Sequence, residues 1–177
     1  YRETTGNRQE LYRKSIGDRP KIYRNSLDIC AISGRFLMDA ARSEGHSISQ
    51  YAISKDDLYE LRAVLSNWIA DPGVEVVLVT GGTGFTSRDS TPEAVQPLFD
   101  SDVPGFGELF RRLSFDEIGT STVQSRALAG IANGTIIFCI PGSTGACKTA
   151  WDKILKDQLD INHKPCNFAE LIRTGSH

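Results

Sequence analysis

Val74-Glu75-Val76-Val77-Leu78-Val79-Thr80-Gly81-Gly82-Thr83-Gly84 is the stretch on which the fold turns. Its first seven residues form an almost unbroken β-branched and aliphatic run, as expected for a parallel strand covered on both faces by helices. The run ends in three glycines and a threonine. At a strand-to-helix turn, glycines permit positive φ and leave no Cβ between backbone N–H groups and a ligand, so phosphate oxygens can approach closely.

Outward from this strand, helix and strand patterns alternate. Leu27 to Ile32 reads as a short apolar strand, followed by a helix from Arg35 to Glu44 that stops at Gly45. Ser47 to Ser54 alternates like a strand, and Asp57 to Ala70 carries apolar residues at helical spacing. After Gly84, Thr91-Pro92-Glu93 reads as an N-cap, an N1 proline and an early acid opening a helix to about Phe99. Helices are predicted over Phe106 to Ser114 and Ser121 to Ala132. A last core strand is predicted over Thr135 to Ile140, and the Pro141-Gly142-Ser143 turn leads into a helix from about Thr144 to Gln158. The fold class that follows is α/β: a three-layer α/β/α sandwich with a mostly parallel central sheet.

The chain has 177 residues, 40% of them hydrophobic and 24% charged, which suits one domain with a substantial core. That domain is expected over residues 26–170, with an N-terminal arm over 1–25 and a tail over 171–177. The arm carries seven Lys or Arg against three acids and reads as a solvated or subunit-wrapping extension. A net charge of −2 gives no global reason to expect nucleic acid as a partner. No apolar run approaches the ~18 residues of a membrane span, and no secretory leader pattern opens the chain, so a cytoplasmic setting is expected. Cys30, Cys139, Cys147 and Cys166 show neither a CxxC pair nor zinc-ligand spacing.

Ligands of parallel sheets bind at the strands' C-terminal edge. Three exits there carry small residues: Ser33-Gly34, Gly81 to Gly84, and Pro141 to Gly145. Thr83, Thr86, Ser143 and Thr144 add hydroxyl donors. An anion site with a phosphorylated ligand follows. Gly142 to Thr149 is a near miss to a phosphate-binding P-loop, with Cys147 where the second glycine belongs, and Lys148 is expected on the helix surface. Asp89, five residues beyond Gly84, is either a turn acid or a ligand holding Mg²⁺ against a triphosphate. Asp56 and Asp57 reach the same edge and serve either as a second carboxylate or as helix caps.

Thr80 to Gly84, Arg88-Asp89, Thr91 to Ala94, Pro104 to Glu108 and Pro141 to Ser143 together resemble the molybdopterin-binding (MoaB/Mog) family of molybdenum cofactor biosynthesis proteins. Leu113 to Ser121, Gln124-Ser125-Arg126 and Pro165 to Phe168 are similar to its protein B branch. The resemblance implies a trimeric or hexameric homo-oligomer that binds molybdopterin. It also implies adenylyltransferase activity with Mg²⁺ and ATP, or else a catalytically weak molybdopterin-binding oligomer of the same pathway. Gly81, Gly82, Thr83 and Gly84 would cradle phosphate, and Asp89 would serve metal and catalysis, supported by Asp56 or Asp57. Glu108, Ser121, Ser125, Pro141, Gly142 and Ser143 would line the pterin side. Relatives also carry a longer loop before the helix entered by Ser33-Gly34, whereas here Ile32 runs straight into Ser33.

Overall fold

A computed structural model describes residues 29–174; the N-terminal arm lies outside them. The elements are α1 (Ile29–Ser43), α2 (Leu58–Ile69), β1 (Val76–Thr80), α3 (Thr91–Val95), β2 (Ser101–Asp102), α4 (Pro104–Ile118), β3 (Leu128–Ala132), β4 (Thr135–Ile140), α5 (Thr144–Ala150), α6 (Lys156–Gln158) and α7 (Phe168–Thr174). Single 3₁₀ segments follow α3 and α4, and a π-helical turn, Trp151–Leu155, joins α5 to α6 in one continuous helical run.

The sheet runs β1-β4-β3-β2. β1 and β4 are parallel, pairing Val76 with Ile136 through to Thr80 with Ile140. Every residue of both strands is buried, as the sequence of each leads one to expect. Alternate side chains enter different cores. Val76, Leu78, Ile136, Phe138 and Ile140 pack with α1, α4 and the helical run after Thr144, through Leu37, Phe106, Phe110, Trp151 and Leu155. Val77, Val79, Ile137 and Cys139 pack on the opposite face with α2 and α3, through Leu61, Leu65, Trp68, Ala94 and Val95. Helices therefore cover both faces, which is the expected three-layer α/β arrangement.

Strand direction is where the sheet departs from expectation. Leu128–Ala132, read as the end of a helix, is a strand antiparallel to β4, and Ser101–Asp102 adds antiparallel to it. The sheet is thus mixed, because Asn133 (φ 48°) and Gly134 (φ 78°) make a two-residue hairpin turn. Such a turn needs positive φ at both positions, and Asn-Gly supplies it. The helix itself stops short, as a 3₁₀ segment over Gly119–Gln124.

Two further expectations are corrected. The strand read over Leu27 to Ile32 is, in its described part, the start of α1. Ser33 and Gly34 therefore do not form a strand exit. Ser33, Leu37 and Ala41 fall at i, i+4 and i+8 on the buried stripe of α1, 0%, 2% and 0% exposed. Ser47 to Ser54 forms no strand beyond an isolated bridge at Ser47.

Helix starts follow local chemistry. Asp57 caps α2, accepting from the N–H groups of Tyr59 and Glu60 at 2.9 Å each. Ser143 caps α5, accepting from Ala146 N–H at 3.1 Å. The cap of α3 is Ser90 rather than Thr91, because the Thr91 hydroxyl is committed to the Gly81 carbonyl at 2.8 Å. α7 crosses the expected boundary at residue 170. Among the described residues, no helix is long and apolar enough to cross a membrane.

Candidate functional site

β1 and β4 end side by side, and their exits form one wall of a cleft of about 520 Å³. Gly81, Gly82, Thr83, Gly84, Pro141, Gly142, Ser143, Asp56, Asp89, Ser121 and Ser125 all line it. Eleven of the fifteen expected site residues are therefore together. Ser33 and Gly34 are buried in α1, and Asp57 is the α2 cap. Glu108 is exposed and faces a separate pocket with Arg111, Arg126 and Pro104. Lys148 is exposed on α5, and the helix beginning at Thr144 leaves no P-loop wrap.

The Gly-rich turn is built by its glycines. Gly81 (φ 106°) and Gly82 (φ 62°) both occupy the left-handed half of backbone space. Gly81 N–H extends the ladder to the Ile140 carbonyl at 2.9 Å, and Gly82 C=O accepts from Thr91 N–H at 3.0 Å. A Cβ on Gly82 would lie 2.4 Å from the Thr91 Oγ1 and 3.5 Å from an Asp56 oxygen. Backbone, threonine and carboxylate thus converge within one van der Waals layer.

Asp89 closes the loop after the turn. Its Oδ2 accepts from the Thr86 N–H at 2.8 Å and from the Thr86 hydroxyl at 2.6 Å. Burial pushes the Asp89 carboxyl up, but bonds from Thr86 and the Gly84 N–H, together with Arg126, outweigh it and hold the carboxyl below its usual value. Asp56 shifts the other way. Desolvation first and the nearby Asp89 charge second raise it, against a smaller lowering by Arg88. Asp56 and Asp89 thus share one cleft with opposed shifts.

Arg126 escaped the sequence reading as a site residue. It donates Nε to the Gly84 carbonyl at 2.8 Å and an Nη to the Asp89 carbonyl at 2.8 Å, and it pairs with the Glu93 carboxylate. It also lies 5.0 Å from the Phe85 ring centroid. A five-donor planar fork can tie a loop at several points, which a lysine cannot. Arg126→Ala is expected to free residues 84–89, lowering stability by about 1–2 kcal/mol and weakening pyrophosphate binding; Arg126→Lys should recover little of either. Calorimetric titration of each variant with pyrophosphate checks it. Glu117 and Thr149 were also missed. They lie on helices far from the turn in sequence, and no local motif announces them.

A family model described as a probable molybdopterin binding domain matches residues 15–161. Molybdenum cofactor biosynthesis protein B of Escherichia coli strain K12 is 58% identical over 136 residues, which cover 77% of this chain and 80% of that protein. The protein of the same name from Bacillus subtilis is 41% identical over 128 residues, covering 72% and 75%. Among solved structures, one of molybdenum cofactor biosynthesis protein B superposes with a TM-score of 0.75 at 34% identity, covering 82% of this chain and 94% of that one. The tungsten cofactor synthesizing protein MoaB from Pyrococcus furiosus superposes with a TM-score of 0.74 at 31% identity, covering 92% and 100%.

Proposed function

The chain belongs to the molybdopterin-binding domain family of molybdenum cofactor biosynthesis proteins, and from that premise we propose that it adenylylates molybdopterin with Mg-ATP in the Gly81–Gly84 cleft. The observation that carries this reading is the placement of Asp56 and Asp89 beside a turn shaped for phosphate. Carboxylates repel a phosphate unless a cation or proton lies between them. No cluster of three or more His, Cys, Asp or Glu side chains suited to a metal occurs among the described residues. A pair of acids would suit Mg²⁺, which takes one or two carboxylates and completes its shell with substrate phosphates. Asp89 and Asp56 would hold it, and it would offset the charge on the triphosphate as pyrophosphate leaves.

In this reading the terminal phosphate of molybdopterin attacks the α-phosphorus of ATP, and the bond to pyrophosphate breaks. The chain's own part is to position two anions. The Gly82 and Thr83 N–H groups of the turn bind phosphate, those of Gly81 and Gly84 being committed to Ile140 and Asp89, while Arg126 and Thr86 keep the loop and the Asp89 carboxylate in one geometry before substrate arrives. The Ser121, Ser125 and Pro141 to Ser143 wall receives the pterin. A homo-oligomer, trimer or hexamer, accompanies the family reading, and sedimentation would size it.

One observation favours a second reading, a catalytically weak molybdopterin-binding oligomer of the same pathway: Asp89 already accepts two bonds from Thr86. Incubating the purified protein with molybdopterin and Mg-ATP separates the two. Release of one pyrophosphate per adenylylated molybdopterin is expected. Tight molybdopterin binding with pyrophosphate no higher than in the protein-free blank would replace the enzyme with the carrier.

A further inference from the structure

One carboxylate in the lining of the cleft is held in place by its neighbours. Glu117, in the last turn of α4, lines the same cleft as Gly81–Gly84 and Pro141–Ser143. Its carboxylate is held by two side chains one helical turn apart. Lys153 donates Nζ to Oε1 at 2.8 Å, and Thr149, only 4% exposed, donates its hydroxyl to Oε2 at 2.6 Å. These two bonds, Lys153 first and Thr149 second, hold the Glu117 carboxyl below its ordinary value. Its side chain is still 40% exposed. Each carboxylate oxygen accepts more than one hydrogen bond, so each retains acceptor capacity.

An oriented carboxylate sorts the ligand by its hydrogen-bond donors. Phosphate suits the N–H groups of the glycine turn and a hydrogen-bond donor suits the carboxylate, so the two ends of one ligand have different partners in the cleft. The group that suits an oriented carboxylate is planar, uncharged and carries two adjacent parallel N–H donors, matching both oxygens as a guanidinium does. A pterin carries such a pair on its pyrimidine ring, at N3–H and the 2-amino group. Adenine has no two adjacent ring-edge donors of this kind.

We infer that Glu117, positioned by Thr149 and Lys153, binds the 2-amino-4-oxopyrimidine edge of the pterin and so sets both the orientation and the ring specificity of the cleft; this rests on the molybdopterin-binding reading above. Glu117 is then a specificity residue, and Lys153 and Thr149 are its positioning residues.

The test uses phosphate-free probes. The full chain and Glu117→Gln are titrated with 6-hydroxymethylpterin and with 6-hydroxymethyllumazine, which has a carbonyl where the pterin has its 2-amino group, followed by fluorescence; pyrophosphate is titrated by calorimetry. The wild type is expected to prefer the pterin over the lumazine by about tenfold or more, the scale of one charge-assisted hydrogen bond. Glu117→Gln should lose that preference and about tenfold in pterin affinity, with pyrophosphate binding unchanged. Undiminished pterin affinity in the variant, or equal losses for pterin and pyrophosphate, overturns the assignment while leaving the molybdopterin reading in place. Wild-type protein that binds pyrophosphate but no pterin overturns both.

Discussion

Asp56→Asn is expected to lower pyrophosphate release from molybdopterin and Mg-ATP by at least ~100-fold, about 2.7 kcal/mol of barrier, while raising the thermal midpoint at pH 7. The two effects have one origin. Desolvation and the neighbouring Asp89 raise the Asp56 carboxyl above its ordinary 3.8. Its ionisation therefore works against the fold: the penalty is absent below pH 3.8, where the group is protonated in both states, and sets in as pH rises through the higher folded value. Asparagine removes the penalty, so the gain should be seen at pH 7 and vanish in acid.

Asp89→Asn is expected to lose activity with the opposite sign in stability. The Asp89 carboxyl sits below its ordinary 3.8, so its contribution is present above that pH and disappears as pH falls through the lower folded value. Melting curves of both variants at neutral and acid pH check the signs. A destabilised Asp56→Asn at pH 7 would contradict the repulsive coupling, and full turnover in either variant would remove that acid from catalysis.

Gly82→Ala is expected to cost about 2–5 kcal/mol, combining ~1–2 for a side chain in the left-handed region with ~1–3 for overpacking. Thr91 is the reason the clash cannot relax. It is 2% exposed, its hydroxyl donates to the Gly81 carbonyl at 2.8 Å, and its N–H donates to the Gly82 carbonyl at 3.0 Å. Moving it away from an added Cβ 2.4 Å distant breaks the contacts that join the turn to α3. For a chain of this length the midpoint should fall by roughly 4–20 °C, and pyrophosphate binding should weaken with it. An alanine variant melting with the wild type would mean that the turn tolerates ordinary backbone geometry.

What could be read in the sequence was whatever is encoded locally. Val76–Thr80 and Thr135–Ile140 were legible because strands buried on both faces leave continuous aliphatic runs. α2 was legible from Asp57 and the Leu61, Leu65, Trp68 stripe. Leu128–Ala132 was misread because Leu, Ala and Gly have little preference for a strand, and its identity comes from pairing with β4. The Asn133-Gly134 turn was the signal that would have revealed it. The described part of Leu27 to Ile32 was misread for the converse reason, an apolar run short enough to suit either element. In the site, the glycine turns and Asp89 were visible as motifs. Arg126, Glu117 and Thr149 were not, because their roles exist only once α4, α5 and the Gly84 loop are brought together.

The alternation of β1 and β4 side chains between two cores has an engineering consequence. Phe110, a cleft-lining residue, belongs to the core containing Val76, Phe138 and Trp151, whereas Leu61, Leu65, Trp68 and Val77 pack on the other side of the sheet. The backbone ladder is a stiff partition between them. Repacking around Leu65 and Trp68 with volume conserved would therefore spare the Phe110 side of the cleft but reach the Gly82 turn through α3 and Thr91, so the two sides of the cleft can be tuned from separate faces of one sheet.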